Sequence, residues 1–287
     1  MYSVAWNNFI EFAEKQLLKS NFPPTTEVVC DYIAWLSLKG YASSSIKSYV
    51  SALSYHCKIK NVADPTDTFV VKKLLVGLTR IDVRKDIRMP ITHEILLKIL
   101  IALPDVCFSN FEAILFSSLF TVAFYGFLRV GEIVPDSIGR QGHALFKENI
   151  SYRPTSRSIE LFIPHSKTDQ CSIGTTILIP ATDDSTCPVR SFLAYDSRRP
   201  KYPGLYFKHF NGLPVTRYQF SAVLKKALNS AGVNCLLYKT HSFRIGAATS
   251  ASLAGLPDEE ISSFGRWKSN AFKNYIRIPS ASLLSRC

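Results

Sequence analysis

The chain has 287 residues, 47% of them hydrophobic, and a formal net charge of +12 at pH 7. That length allows two domains, each with its own core, and that apolar content excludes a disordered chain. Residues 1–88 hold 12 of the 34 basic and 8 of the 22 acidic residues, so the positive excess is distributed rather than gathered in a tail, a balance suited to a polyanion such as nucleic acid.

Seven scattered cysteines, an odd number with no CxxC or Cys/His cluster at metal-ligand spacing, point to free thiols in a reducing compartment and to no metal site. Glu11, Glu14 and Lys15 interrupt the N-terminal apolar residues. The most apolar run, Ala113 to Leu128, contains Ser117, Ser118, Thr121 and Gly126 and is short for a membrane span. A soluble intracellular protein with no membrane partner is expected.

Residues 1–82 read as an all-helical unit. Trp6, Phe9, Ile10, Ala13 and Leu17 recur at helical spacing, and Asn21-Phe-Pro-Pro stops that helix. Thr25 or Thr26 can cap a second helix, with Val28, Val29, Tyr32, Ile33 and Leu36 inward before Gly40. A third spans Ser43 to Ile59, carrying Ile46, Val50, Leu53 and Tyr55. A fourth, Asp67 to Arg80, carries Phe69, Val70, Leu74, Leu75 and Leu78. Lys47 on the third helix and Lys72, Lys73 and Arg80 on the fourth are candidate DNA contacts; an ordinary solvated face is the competing reading. Residues 83–91 are charged and end near Pro90, as a linker does. Arg84 and Lys85 there could lie on a phosphate backbone or belong to a plain spacer.

The second domain, residues 92–287, opens at Thr92, a cap with Glu94 in the first turn. Helices are indicated from His93 to Ala102 and from Asn110 to Phe127. The apolar run ends at Phe-Leu-Arg-Val-Gly-Glu, which puts Arg129 and Glu132 three residues apart. Alternating segments near Leu145–Ile150, Ser158–Ile163 and Thr176–Ile179 suggest a small antiparallel sheet, with Lys167 in the turn after the second strand. Helical pattern resumes at Val189–Tyr195 and Arg217–Ala231. His143 and His165 read as turn residues, Tyr125 as core, and Asp183-Asp184 as a solvated loop rather than a metal pair. The fold class is mainly α with a small antiparallel β-sheet.

Thr240 can cap a further helix, placing His241 at its start and Arg244 one turn on, on the same face. Gly246, Ala247 and Ala248 permit close packing. Gly255 ends the helix, a second helix closes at Gly265, and Ala271 to Arg277 carries Tyr275. Alone, this stretch is compatible with a helix-turn-helix that reads DNA without catalysis.

Taken in order, Arg129, Lys167, His241, Arg244, Trp267 and Tyr275 resemble the active site of the tyrosine recombinase (phage integrase) family: Arg, Lys on a β-hairpin, His-x-x-Arg, His or Trp, then the nucleophilic Tyr. The resemblance spans residues 90–280, and the first unit is similar, less specifically, to the family's helical, SAM-like core-binding domain. The wording Phe-Leu-Arg-Val-Gly-Glu, His-Ser-Lys-Thr-Asp and Gly-Arg-Trp-Lys-Ser-Asn-Ala is most like recombinases of eukaryotic mobile elements, of the DIRS-type and crypton-like group. Trp267 and Tyr275 stand eight residues apart, one fewer than in bacterial and phage members.

The resemblance implies a site-specific recombinase that clamps double-stranded DNA, needs no cofactor and no metal, and acts as a homotetramer on paired sites. In a eukaryote it would work in the nucleus. Tyr275 would form a 3′-phosphotyrosyl intermediate, and Arg129 and Arg244 would clamp the non-bridging oxygens in fixed, charge-assisted geometry. Lys167 would protonate the leaving 5′-oxygen. His241 would assist proton removal from the tyrosine or bond a phosphate oxygen, Trp267 would orient the phosphate or brace Tyr275, and Glu132 would hold Arg129. Ile278 to Leu284 is a candidate segment for docking on a neighbouring subunit. Two alternatives use the same residues: a domesticated DNA-binding protein that no longer uses catalysis, and a type IB topoisomerase-like activity.

Overall fold

Apolar residues at helical spacing build the first unit, and the computed structural model describes residues 2–16, 22–82, 86–140, 142–165 and 173–277 of the chain. The chain divides into two units, 1–86 and 87–287, each with its own hydrophobic core.

In the first unit, α1 (Tyr2–Lys15), α2 (Thr26–Leu38), α3 (Ser43–Ile59) and α4 (Phe69–Ile81) enclose Phe9, Phe12, Val29, Tyr32, Ile33, Leu36, Ile46, Val50, Leu53 and Val71. Thr25 caps α2, its hydroxyl accepting from the Val28 N–H at 3.4 Å. Ala42 offers α3 no side-chain cap, and the Asp82 carboxylate supplies one instead, accepting from the Ser43 N–H at 2.6 Å. The fourth helix begins later than its periodicity suggests: Asp64 opens a separate 3-10 turn, Pro65–Asp67, and α4 starts at Phe69. Its first turn precedes the packed stretch, so Phe69 and Val70 point outward and only Val71 is fully buried. Tyr55, expected on the inner face of α3, is exposed. Leu17 lies outside the described residues.

The second unit is built round α6 (Asn110–Tyr125), which is apolar on every side, as a central helix must be. It packs against α5 (His93–Val106), α8 (Pro188–Asp196) and α10 (Ser242–Leu253). The hydroxyl of Thr121, buried among apolar neighbours, bonds the Ser117 carbonyl at 2.9 Å and the Ser191 hydroxyl at 2.6 Å. No helix among the described residues is long and apolar enough to cross a membrane.

The sheet has the order β1-β2-β3, all antiparallel: Ile150–Arg153, Ser158–Ile163 and Thr175–Pro180, with Ile150 opposite Leu161 and Ile159 opposite Ile179. Ile150, Ile159, Leu161, Ile163 and Ile179 are buried. The first strand starts five residues later than the alternation around Leu145 suggests. Lys147–Asn149 form a 3-10 turn, and Leu145 is buried through a bridge in which its carbonyl accepts from the Tyr206 N–H at 2.8 Å.

Four helical pieces follow α9 (Arg217–Ser230) among the described residues: a 3-10 turn, Cys235–Leu237, then α10, α11 (Asp258–Phe264) and a 3-10 helix, Asn270–Tyr275. Thr240 does not cap α10. His241 occupies the cap position with helical φ −73°, so the helix proper begins at Ser242. Gly246 lets the chain before α5 cross α10 at contact: a Cβ there would lie 1.8 Å from the Ile91 carbonyl oxygen.

Candidate active site

The site begins where α6 ends. Phe127 takes φ +50°, which turns the chain sharply and sets Arg129 just ahead of α7 (Val130–Ile133). Glu132, 7% exposed, then folds back on Arg129. One carboxylate oxygen accepts from the Arg129 side chain at 2.9 Å and the other from its backbone N–H at 2.8 Å.

Arg244 is fully buried on α10. Its guanidinium donates to the Phe127 and Gly265 carbonyls, and so ties the turn after α6 to the end of α11. Burial, with Arg129 and Arg266 nearby, pushes its pKa down to about 9, and Glu132 opposes that shift. A guanidinium so placed keeps its proton at neutral pH and is short of negative charge. Its carbon lies 4.1 Å from the centroid of the Trp267 ring and 5.6 Å from that of Tyr275.

Trp267 is folded flat against the end of α11, because Gly265 has no Cβ; one built there would lie 1.6 Å from the ring. Its Nε1 is buried without a hydrogen-bond partner among the described residues. Tyr275 lies at the end of the last 3-10 helix, which Ser269 caps and buried Phe272 anchors. The Thr249 hydroxyl, buried on α10, donates to the Tyr275 carbonyl at 3.3 Å and accepts from the Arg277 N–H at 3.0 Å. The Tyr275 ring stands between His241 and Trp267, at centroid distances of 5.0 and 4.9 Å.

Arg129, Glu132, His241, Arg244, Trp267 and Tyr275 therefore meet at one place. Two participants were missed in the sequence. Thr249 is one; the other is Arg266, whose Nη2 donates to Glu132 at 2.8 Å. A polar residue in a run of small ones was a signal for Thr249, whereas nothing in the sequence separates Arg266 from a surface arginine.

Lys167, Arg84 and Lys85 lie outside the described residues, as does the segment from Ile278 to Leu284. Lys147 and Lys201, alternatives to Lys167 in sequence, are occupied by the Asp196 carboxylate at 3.2 Å and the Asp196 carbonyl at 3.1 Å. In the first unit Lys47, Lys72, Lys73 and Arg80 are exposed; Lys72 pairs with Asp67 at 2.7 Å, and Lys73 lies 5.3 Å from the Phe69 ring. Among the described residues no cluster of His, Cys, Asp or Glu could hold a metal ion, and the five described cysteines are free. Beside Arg129 runs a cleft of about 730 Å³ lined by Arg140, His143, His165 and Arg217. The rings of His143 and His165 are 4.9 Å apart there, and Arg217 pairs with Asp136 at 3.0 Å.

A helical unit followed by a mainly helical unit with a three-stranded antiparallel sheet is the fold of the tyrosine recombinases, and the chain has that fold. Among solved structures, the XerH site-specific recombinase bound to palindromic difH substrate, a post-cleavage complex, matches 99% of this chain and 77% of its own at TM-score 0.70 and 14% identity. The Tn1549 transposon integrase in complex with circular intermediate DNA matches 99% of this chain and 93% of its own at TM-score 0.65 and 14% identity. A lambda integrase dimer bound to a COC′ core site matches 94% and 70% at TM-score 0.57 and 16% identity. No family model and no curated protein matches the sequence.

Proposed function

We propose that the chain is a site-specific DNA recombinase that cleaves and rejoins strands through Tyr275. One observation carries the reading: the Tyr275 ring lies between His241 and Trp267, with the buried Arg244 guanidinium 5.6 Å from its centroid. A phenol beside an imidazole and against preorganised cations is arranged to attack a phosphodiester.

In the proposed step the Tyr275 oxygen forms a bond to phosphorus and loses its proton to His241. The bond from phosphorus to the 5′-oxygen breaks, and that oxygen takes a proton from Lys167. One ester replaces another, so no ATP is needed. The reverse reaction with a second 5′-hydroxyl rejoins the strand. Arg129 and Arg244 bind the non-bridging oxygens, where negative charge builds in the transition state. The buried Trp267 N–H supplies one more donor to the same oxygens. Exchange between two duplexes breaks four strands and so requires four tyrosines, which makes the working assembly a homotetramer on paired DNA sites. The motif wording supports an origin in a eukaryotic mobile element, which would place the reaction in the nucleus.

A duplex nicked next to the scissile phosphate tests the reading, because the released fragment diffuses away and traps the intermediate. The unmodified protein should accumulate an SDS-resistant protein–DNA adduct that persists in EDTA and is lost in Tyr275→Phe. Failure to form it on DNA shown to be bound would overturn the proposal. Product connectivity separates strand exchange from simple relaxation: relaxed circles alone, made by a monomer, would count against recombination.

A further inference from the structure

Arg266 follows the end of α11 and takes φ +55°, the left-handed region that Cβ sterics disfavour and glycine enters freely. A turn alone would be served at least as well by glycine. Here the position carries one of the largest side chains, and that side chain is 7% exposed and turned inward. Its Nη1 donates to the Gly126 carbonyl at 3.4 Å and its Nη2 to the Glu132 carboxylate at 2.8 Å. The oxygen it meets on Glu132 also accepts from the Arg129 backbone N–H, and the other oxygen holds the Arg129 guanidinium. Glu132 is thus the bridge between Arg266 and Arg129.

Arg129, Arg244 and Arg266 bring three positive charges to a site where Glu132 contributes one negative. Burial lowers the pKa of both Arg244 and Arg266, and the Arg129 charge adds to the effect on each. Such an excess in a low-dielectric setting is unfavourable until an anion arrives, which is how a preorganised anion pocket is recognised. With Arg266 removed, Glu132 would keep Arg129 as its partner but lose the bond that fixes its own carboxylate plane.

We propose that Arg266 is a positioning residue: through Glu132 it fixes the orientation of Arg129, and its charge completes a cationic pocket formed before any phosphate is bound. This rests on the reading of Tyr275, Arg129 and Arg244 as a strand-transfer site. It adds a member that touches neither the DNA nor the reacting atoms.

The test compares the full chain with Arg266→Gly, Arg266→Lys, Glu132→Gln and Arg129→Gln by two measurements. The first is thermal unfolding against inorganic phosphate at constant ionic strength. The unmodified chain should be stabilised by phosphate, Arg129→Gln should lose the response, and Arg266→Gly should need about tenfold more phosphate for the same shift. The second is single-turnover cleavage of the nicked duplex. Arg266→Gly should be slowed about tenfold to a hundredfold, the usual effect of losing a group that orients an active side chain, with DNA affinity unchanged. Adding Arg266→Gly to Glu132→Gln should cost little more, because both break one network.

A parent-like phosphate response and cleavage rate in Arg266→Gly overturns the proposal. So does simple additivity of the two losses, or the absence of any Arg129-dependent phosphate response in the unmodified chain. A chain that binds phosphate as expected but forms no adduct defeats the reading of Tyr275, and the phosphate measurement still decides the role of Arg266. If Arg266→Gly does not fold, Arg266→Lys decides, since it keeps the charge without the planar fork: slowed cleavage at unchanged DNA affinity supports the proposal, and parent-like cleavage overturns it.

Discussion

Gly265 and Gly246 are demanded by what lies beside them rather than by backbone freedom. At Gly265 a Cβ would coincide with the Trp267 ring, and at Gly246 with the Ile91 carbonyl. A methyl group at 265 therefore swings Trp267 away from Tyr275. Gly265→Ala is expected to be destabilised by about 1–3 kcal/mol, the usual cost of overpacking, and to lose most strand cleavage while still binding DNA. Thermal unfolding and the adduct assay check the two halves separately. Cleavage at the parent rate would show that the wall Trp267 makes is dispensable. Arg129, His241, Arg244, Trp267 and Tyr275 were singled out in the sequence because their order resembles the active site of a known family, and the fold brings them together. Arg266 was not, since its inward turn depends on the φ of one residue and on a carboxylate 134 positions earlier.

At the scale of elements, the last 3-10 helix is short, and it is held to α10 through the two hydrogen bonds of Thr249. Thr249→Val keeps the shape and leaves the Arg277 N–H and the Tyr275 carbonyl without that partner. A loss of about 1–3 kcal/mol is expected for such stranded groups, with a fall in cleavage rate steeper than the fall in DNA affinity. Equal stability and rate would mean that Phe272 alone anchors Tyr275. A second link joins the first turn of α6 to the segment before α9: Glu112 accepts from His209 Nδ1 at 2.8 Å. That hydrogen bond outweighs desolvation and raises the His209 pKa above its ordinary value. The linked stability is fully present below about pH 6.5, the unfolded value, and is lost as pH rises through the higher folded value. Thermal midpoints measured from pH 6 to pH 9 should decline more steeply in the parent than in Glu112→Gln, and parallel curves would refute the linkage. Element boundaries were the less legible level. Leu145 imitates a strand residue because it is buried next to one isolated bridge, Phe146 to Leu205, and Thr240 imitates a cap because the sequence does not show that His241 enters the helix with α-helical backbone angles.

At the scale of the whole molecule, the proposed function and the net charge of +12 together predict a DNA affinity that is strongly salt-dependent, each phosphate neutralised adding about 0.9 to the slope of log K against log[salt]. Arg217 lines the cleft beside Arg129, its guanidinium against Gly131. Arg217→Ala should lower the salt slope by about one and weaken all duplexes alike. An unchanged slope would remove that cleft from the DNA path. The sequence reading placed a linker at 83–91 between residues 1–82 and 92–287, whereas the chain divides at 86 and residues 87–91 belong to the second unit. How residues 86–91 are held was not legible, because backbone hydrogen bonds leave no trace in side-chain pattern.

Those bonds run from the Met89 N–H to the Leu237 carbonyl at 2.8 Å and from the Ile91 N–H to the Ser242 carbonyl at 3.0 Å. The segment that arrives from the first unit is therefore stitched to the opening turn of the helix bearing His241 and Arg244. A displacement of residues 89–91 would reach the backbone one residue from the imidazole, so this segment and the His241 end of α10 should move together. Amide hydrogen exchange at Ile91 is the natural gauge of that coupling.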